Sequence, residues 1–319
     1  MKSTVIIPNY NGMQYLQNCI QSLLAANGDF SILIVDNGST DGSQDFIRDN
    51  YPNIELICFT ENTGFCHAVN VGVEKARTEY VILLNNDTQI DANFVTALET
   101  ALEKHAKRFS VSAKMINMYQ QDILDGAGDY YCALGWAFAY GKDMLVASHC
   151  TRERKIFSAC GGAAIYRKAI WNQLGGLDEN HFAYLEDCDL GYRAQIYGYQ
   201  NYFTPDAIVY HAGSGASGSR YNTFKIRLSS RNNIFLLYKN MPLLQMILNS
   251  PFLFAGFFVK YLFFLKKGFG SLYLKGLWEG IQKRPREKKV VFQWKHLGNY
   301  CRIQFFLWVN IIKRFTTGR

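Results

Sequence analysis

Short, wholly apolar segments alternate with helical patterns over the first hundred residues of this chain, and this alternation constrains the fold most. The apolar segments occupy residues 4–8, 31–35, 54–59 and 80–84, and each is followed by a stretch with apolar residues at helical spacing. Strands that are apolar on both faces are typical of parallel sheets covered by helices. The sequence therefore predicts an α/β fold, whose ligands bind at the carboxyl ends of the strands.

Polar clusters follow the four apolar segments, where the ligand-binding edge of the sheet is expected. They are PNYN (8–11), DNGSTD (36–41), ENTG (61–64) and NND (85–87). Asn, Asp and Gly are also common turn residues, so turn chemistry would explain any single cluster. Four clusters at the same edge favour a shared binding site.

The charge balance changes sign along the chain. It is −9 for residues 1–219 and +17 for residues 220–319, which together give the net charge of +8. The basic part is also rich in Phe, Leu and Tyr. We therefore divide the chain into two functional regions, residues 1–230 and a helical C-terminal region at residues 231–319.

The C-terminal region contains the run PFLFAGFFVKYLFFLKK (251–267), which Pro251, Gly256 and Lys260 interrupt. The sequence therefore predicts no membrane-spanning helix. Clustered apolar side chains beside basic residues favour an interfacial segment on an anionic membrane surface, and a packed helical appendage is the alternative. Nucleic acid would account for the charge but not for the aliphatic surface, so no nucleic-acid partner is expected.

The start of the chain and its cysteines indicate a location. MKSTVIIPNYNG enters a strand without an apolar signal region, and the eight cysteines include no CxxC pair. Free thiols in a reducing compartment are the simplest explanation. We expect a cytoplasmic protein that is peripheral on the inner face of the cell membrane.

Six motifs occur in a specific order. They are IIPNYN (6–11), VDNGSTDGS (35–43), ENTGFCHAVNVGV (61–73), LLNNDT (83–88), GGAAIYRK (161–168) and GGLDENHFAYLEDCDLGYR (175–193). Together they resemble family 2 of the nucleotide-sugar glycosyltransferases, particularly the rhamnosyl- and related transferases that build bacterial surface polysaccharides. The resemblance implies a glycosyltransferase-A (Rossmann-like) fold, a divalent metal and inversion at the anomeric carbon. It also implies that residues 1–230 are the catalytic domain, with a nucleotide-binding half at residues 1–105 and an acceptor and catalytic half at residues 106–230.

The donor nucleotide is expected at the ends of the first two strands. Asp36 ends a buried strand, where a carboxylate has no packing value, but it could accept the imide N–H of a uracil or thymine ring. The resemblance assigns the matching Asp to the base. Pro8 and Asn9 lie at the neighbouring strand end and are candidates for the same pocket.

The ENTG cluster is expected to meet the donor through its backbone. Asn62 and Gly64 would allow a close approach of the chain to the nucleotide, and the following helix would offer its N-terminus to negative charge. A helix N-cap at Thr63 is an equally good explanation of this cluster.

The metal is expected at residues 85–87, which occupy the place of the family's Asp-x-Asp signature. Here Asn85 and Asn86 are neutral, and only Asp87 is a carboxylate. A diphosphate leaving group needs a hard cation, typically Mg²⁺ or Mn²⁺. Asp87 would supply one ligand, and His211 resembles the family's late metal ligand. A structural role for His211 is the alternative. Asn85 and Asn86 are candidates for binding the nucleotide sugar, and Asn86 could reach the ribose.

The catalytic base is expected in LEDCDLGYR (185–193). An inverting transfer needs one base that takes the proton of the acceptor hydroxyl. Asp189 and Arg193 are four residues apart on a predicted helix and can pair with each other. Asp187 matches the acidic base of the family's Glu-Asp motif and is our choice, with Glu186 as the alternative.

The predicted function is transfer of a sugar from a nucleotide-sugar donor to a glycan or an undecaprenyl-linked acceptor in bacterial polysaccharide synthesis. L-Rhamnose from dTDP-rhamnose is the first choice of donor by resemblance, followed by a UDP-sugar. The alternative is an inactive nucleotide-sugar-binding scaffold of a polysaccharide-assembly complex. The neutral residues Asn85 and Asn86 favour the scaffold, whereas Glu186, Asp187 and His211 together favour the enzyme.

Overall fold

A computed structural model of the chain describes residues 1–213 and 221–316. The predicted alternation of strands and helices over the first hundred residues is confirmed. A Gly-rich turn that the sequence indicates at residues 213–218 lies, apart from Gly213, outside the described residues. The elements of this first part are β1 (Ser3–Asn9), α1 (Met13–Leu24), β2 (Phe30–Asp36), α2 (Ser43–Asn50), β3 (Glu55–Cys58), α3 (Phe65–Lys75), β4 (Tyr80–Leu84), β5 (Thr88–Ile90) and α4 (Phe94–Glu103).

The second part of the chain adds further strands and then four long helices. The strands and short helices are β6 (Arg108–Asn117), β7 (Leu124–Gly126), β8 (Asp129–Cys132), β9 (Trp136–Ala139), β10 (Arg154–Ile156), β11 (Ala163–Arg167), α5 (Lys168–Leu174), α6 (Glu186–Ile196) and β12 (Gln200–His211). The C-terminal helices are α7 (Thr223–Asn240), α8 (Leu243–Lys266), α9 (Gly270–Gln282) and α10 (Leu297–Thr316). The boundary predicted between residues 230 and 231 falls inside α7, which begins at Thr223, a few residues after the change of charge between residues 219 and 220.

One ten-stranded sheet has its main strands in the order β10-β12-β6-β11-β4-β1-β2-β3. The strands β4, β1, β2 and β3 are parallel to one another, as the sequence predicted. β11 runs antiparallel between β4 and β6, and β12 lies parallel to β6. The short strand β5 pairs with the end of β12, which brings the metal motif and His211 to the same edge.

Helices cover both faces of the sheet, because alternate residues of each buried strand point to opposite sides. Ile6, Leu33 and Leu83 belong to one apolar core, and Ile7 and Ile34 belong to the other. Both cores are nearly free of solvent exposure. Polar residues at the strand ends are therefore held on a rigid base.

The C-terminal helices pack on the acceptor half through a third apolar core. Pro251, Gly256 and Lys260 interrupt the apolar run in the sequence, and α8 continues through all three. Proline removes only one backbone donor, and tertiary contacts along the helix offset this loss. By length and composition alone, α8 could cross a membrane.

Candidate active site

The ends of β1, β2 and β4 meet in a network of buried polar side chains. The amide of Asn9 donates a hydrogen bond of 2.7 Å to Asp36, and its oxygen accepts one of 2.7 Å from Asn86. Register explains the meeting, since Asn9 pairs with Asp36 in the sheet and β4 is the other neighbour of β1. Pro8, one residue before Asn9, stays partly exposed.

Asp36 lies beneath this network and has no exposed surface. One carboxylate oxygen accepts bonds from the backbone N–H of Ser39 (2.9 Å) and from Gln44 (2.7 Å), while the other accepts from Asn9. In this conformation the carboxylate fixes the loop that follows β2 by accepting these hydrogen bonds. Asn37 directly follows Asp36 in the sequence, and we assigned no role to it.

Asn37 connects the β2 end to the ENTG cluster. Its amide donates to Asn62, and its oxygen accepts from the backbone N–H and the hydroxyl of Thr63. The side chain of Thr63 therefore points to Asn37, and Gly64 is the N-cap residue of α3. The only sequence signal for a role of Asn37 is its position directly after Asp36, and turn chemistry explains a polar residue there equally well.

Gly64 has the close approach that we expected, but to another part of the chain. Its φ is +92°, and a Cβ atom there would lie 2.6 Å from the ring of Phe182. The backbone N–H of Cys66 also donates to the carbonyl of Phe182. The start of α3 is thus joined to the loop that precedes Glu186.

Asp87 and His211 are brought together at the candidate metal centre. Nε2 of His211 lies 3.3 Å from a carboxylate oxygen of Asp87, and Nδ1 lies 2.6 Å from Asp125. Burial lowers the pKa of His211, but the hydrogen bonds to Asp125 and Asp87 outweigh burial and raise it to about 9. Asp125 also pairs with Lys142. We did not predict Asp125, because a pairing over 86 residues leaves no local pattern.

These residues fit a divalent cation. A carboxylate oxygen and an imidazole nitrogen suit Mn²⁺, and a carboxylate behind the second ring nitrogen is the usual way to orient a metal-binding histidine. Asn85 instead uses its backbone N–H, which donates to the carbonyl of Gly162. Asn86 bonds to Asn9, as described above.

A loop with a strained backbone directly precedes Glu186 and Asp187, the candidate bases. Phe182, Tyr184 and Leu185 have φ values of +64°, +73° and +67°, which are uncommon for residues other than glycine and concentrate at functional sites. The buried amide of Asn232 in α7 donates to the carbonyls of residues 181, 183 and 184. Asn232 thereby compensates part of the cost of this backbone.

Glu186 and Asp187 follow the strained loop in different surroundings. Glu186 is buried, and its Oε2 has no hydrogen-bond partner among the described residues. Burial, together with the nearby charge of Asp187, raises the pKa of Glu186 to about 8. Asp187 is partly exposed and accepts bonds from the backbone N–H groups of Cys188 (2.6 Å) and Gly161 (3.4 Å).

Asp187 also lies beside Asp129, a residue that we did not predict. One ligand atom each of Asp129, Cys160 and Asp187 lies within 4.8 Å of the others. Burial and the charge of Asp187 raise the pKa of Asp129 well above its usual range. Burial raises the pKa of Asp187 as well, so this pair of carboxyl groups retains a proton more readily than free carboxyl groups do. A thiol is a soft ligand, so this cluster suits Mg²⁺ or Mn²⁺ less than Asp87 and His211 do.

Asp189 has the structural role that the sequence allowed for it. It pairs with Arg193 at 2.7 Å and with Lys239 of α7 at 2.9 Å, and all three are buried. Burial by itself raises the pKa of Asp189, but the two cations outweigh burial and hold it well below its usual range. The buried ion pairs anchor α6 to α7.

Comparisons with known proteins agree with this geometry. A family model described as "Glycosyl transferase family 2" matches residues 4–175. The N-acetylglucosaminyl-diphospho-decaprenol L-rhamnosyltransferase of Mycobacterium tuberculosis (strain H37Rv) is 27% identical over 240 residues, which cover 67% of this chain and 77% of that protein.

Two solved structures share the fold. Staphylococcus aureus TarS 1-349 in complex with UDP-GlcNAc has a TM-score of 0.58 at 17% identity, covering 90% of this chain and 83% of that chain. The mannosyltransferase PcManGT from Pyrobaculum calidifontis, in complex with GDP-Man and Mn²⁺, has a TM-score of 0.54 at 15% identity, covering 90% and 88%. At these identities the likeness concerns the fold alone.

Proposed function

The chain belongs to glycosyl transferase family 2, and from this premise we propose that it is a metal-dependent, inverting enzyme that transfers L-rhamnose to a lipid-linked glycan. That it is a glycosyltransferase of surface-polysaccharide synthesis follows from the family and the relatives. The donor, the acceptor, the metal and the residue roles are the proposal. Rhamnose and a polyprenyl-type acceptor are taken from the name of the mycobacterial relative.

One observation carries the proposal. The backbone N–H of Asn85 donates to Gly162, and the neighbouring N–H of Gly161 donates to Asp187. The strand end with Asp87 and the candidate base are therefore held on either side of two glycines. A diphosphate at Asp87 and an acceptor hydroxyl at Asp187 would then lie at one site.

The side chains divide the chemical tasks in the proposed reaction. A divalent cation bound by Asp87 and His211 would stabilise the negative charge of the departing nucleoside diphosphate. Asp187 accepts the proton of the acceptor hydroxyl while the oxygen attacks the anomeric carbon opposite the leaving group, so the configuration inverts. In this proposal Asp129 holds a proton beside Asp187, and Asp187 is the ionised partner that acts as the base.

The donor pocket is proposed at the strand-end network. Asn37, Asn62 and the loop above Asp36 would contact the nucleobase and ribose, with Asp36 holding that loop in shape. Asn9 and Asn86 would fix the position of residues 85–87 relative to the base pocket. Of the described side chains named here for the pocket only Asp36 is charged, and a cation at Asp87 and His211 would attract the diphosphate.

The C-terminal region is proposed to hold the enzyme at the inner face of the membrane, where a polyprenyl-linked acceptor is found. The support is its charge, since residues 220–319 contain only two carboxylates, Glu279 and Glu287. Basic segments next to anionic lipid contribute about 1 kcal/mol per Lys or Arg near the surface.

Donor binding and donor hydrolysis test the function. We expect dTDP-rhamnose with Mn²⁺ to raise the unfolding temperature more than UDP-GlcNAc or GDP-mannose, because a ligand at about 100 times its Kd adds roughly 2.7 kcal/mol of stability. Slow release of dTDP without acceptor should require Mn²⁺ and should vanish with a chelator and in Asp87→Ala. Asp122→Ala, which removes an exposed carboxylate, is the control.

Each alternative predicts a different result. Binding of the nucleotide sugar without any release of nucleoside diphosphate, even with membranes added, would indicate the inactive scaffold. Full activity in excess chelator would contradict the metal-dependent mechanism. A larger shift with UDP-GlcNAc than with dTDP-rhamnose would change the donor and leave the reaction class intact.

A further inference from the structure

Helix α8 has the reverse of the polarity expected for a helix on a water-soluble domain. Its buried residues Gln245, Asn249, Leu253 and Gly256 form one stripe, and two of them carry amides. Both amides are used, since Gln245 accepts from the hydroxyl of Tyr192 at 2.8 Å and Asn249 forms paired 2.8 Å bonds with Gln304 of α10. The two amide side chains of α8 thus point into the protein.

The outward face of α8 is apolar along the whole helix. Eleven large apolar side chains are exposed there, among them Leu244 (76%), Phe254 (77%) and Phe258 (52%). Only 17% of its most apolar 18-residue window is buried. Soluble proteins rarely expose a continuous apolar patch of this size, so the face is expected to be covered.

Charge at the end of α8 indicates what covers it. The helix ends at Lys266, and Nζ of Lys267 lies 5.0 Å from the ring of Tyr221 and 5.3 Å from that of Phe263. Lysines beside aromatic rings at the edge of an apolar face are typical of the head-group level of a membrane. An apolar face on one side and cations at its end fit an anionic lipid bilayer better than a protein groove.

The packing of α8 on the catalytic part argues against a separate spanning helix. Trp136 donates from its indole nitrogen to the carbonyl of Gly256 at 3.0 Å, and a Cβ at position 256 would lie 2.0 Å from the carbonyl oxygen of Leu134. With the amide stripe, these contacts hold α8 lengthwise against the β8–β9 hairpin and α10. A helix held in this way can enter a bilayer only with its outward face.

We propose that α8 is a monotopic insertion helix, whose outward face lies among the acyl chains while its amide stripe stays bonded to the catalytic part. This goes beyond contact of basic residues with the membrane surface. The same hairpin that receives Gly256 begins at Asp129, beside Asp187. If the proposed function holds, insertion places the base close to an acceptor that is anchored in the same lipid layer.

Vesicle flotation of the full chain tests the insertion. The probes are vesicles of pure phosphatidylcholine and vesicles that contain phosphatidylglycerol, each at low and high salt. We expect flotation with both kinds, with anionic lipid favoured at low salt and a large bound fraction left at high salt, because salt weakens only the electrostatic part. Phe254→Glu/Phe258→Glu should lower the fraction bound at high salt at least about tenfold.

Controls separate insertion from misfolding and from failure of the proposed function. Leu24→Glu replaces a side chain that is 59% exposed on α1 and should float like the parent. The unfolding temperature and its shift with a nucleotide sugar report folding and the donor site, independently of vesicles. Release of the parent at high salt, or full flotation of the double variant, would overturn the insertion. The proposal would also be overturned by a different set of results: the parent forms a dimer in solution, the double substitution dissociates this dimer, and flotation is unchanged.

Discussion

Asp125 holds the ring of His211 through a 2.6 Å hydrogen bond to Nδ1, and this leaves Nε2 facing Asp87 at 3.3 Å. The carboxylate lies on the short strand β7, while the histidine ends β12 on the opposite side of β6. The orientation of the proposed metal ligand is therefore a product of the sheet and not of its immediate sequence.

Asp125→Ala should weaken the apparent affinity for Mn²⁺ by roughly 10–100-fold, the usual effect of removing the partner of a metal-binding histidine. The Mn²⁺ concentration at half-maximal donor hydrolysis measures this change. Turnover at saturating Mn²⁺ should fall much less. Asp122→Ala, from the exposed turn before β7, is the matched control and should leave the Mn²⁺ dependence unchanged. An unchanged Mn²⁺ dependence in Asp125→Ala would mean that His211 is not a ligand.

Asp187→Asn should keep donor and metal binding while turnover falls by roughly 10²–10⁴-fold, the usual cost of losing a general base. Glu186→Gln should fall less, because Glu186 is buried and burial raises its pKa to about 8. Initial rates with a lipid-linked acceptor, together with calorimetric donor binding, separate the two effects. Normal turnover in Asp187→Asn with an inactive Glu186→Gln would identify Glu186 as the base.

Sequence patterns predicted the part of the site that depends on local order. A buried strand followed by a polar cluster is visible in the sequence, so Asn9, Asp36 and Asp87 could be placed at one edge before the structure was known. The pairing of Asp189 with Arg193 was also predicted, since four residues separate neighbours on a helix face. The parallel part of the sheet followed from the apolar strands in the same way.

Long-range contacts account for what the sequence did not predict. Asp125 and Asp129 occur in an ordinary turn-rich segment, and only the tertiary fold brings them to His211 and Asp187. The continuity of α8 also depends on long-range contacts. Pro251 and Gly256 disfavour a helix in isolation, whereas contacts with the β8–β9 hairpin and α10 supply the missing stability.

Asn232→Ala should lower turnover without changing the Kd of the donor. One buried amide of Asn232 donates to three carbonyls of the strained loop, so its removal lets Tyr184 and Leu185 relax and moves Asp187. A displacement of about 1 Å at a reacting group can cost 10²-fold in rate. Stability should fall by about 1–3 kcal/mol, because buried carbonyls lose their donor. Asn299→Ala is the control for turnover, because it removes a side-chain hydrogen bond to one carbonyl only, that of Ile196.

Glu186→Gln should stabilise the protein against unfolding, and the gain should grow with pH. The pKa of Glu186 is raised from 4.5 to about 8 in the folded chain, first by burial and then by the charge of Asp187. Between these two values the folded chain keeps a proton that the unfolded chain releases. The free energy of unfolding of the parent therefore falls as pH rises through this window, and the fall ends above the folded value.

Glutamine does not titrate and resembles the protonated acid, so the variant avoids this loss of stability. The gain should be near zero at about pH 4.5 and roughly 1–3 kcal/mol at about pH 9, less than the pKa difference alone would give because a buried charge recruits water. Denaturant unfolding at about pH 5, 7 and 9 measures it, with Glu61→Gln at an exposed position as the control. A gain of equal size at all three pH values would mean that Glu186 is already ionised in the folded chain. Glu186 would then be a competing base beside Asp187, because an ionised carboxylate can accept the proton of the acceptor hydroxyl.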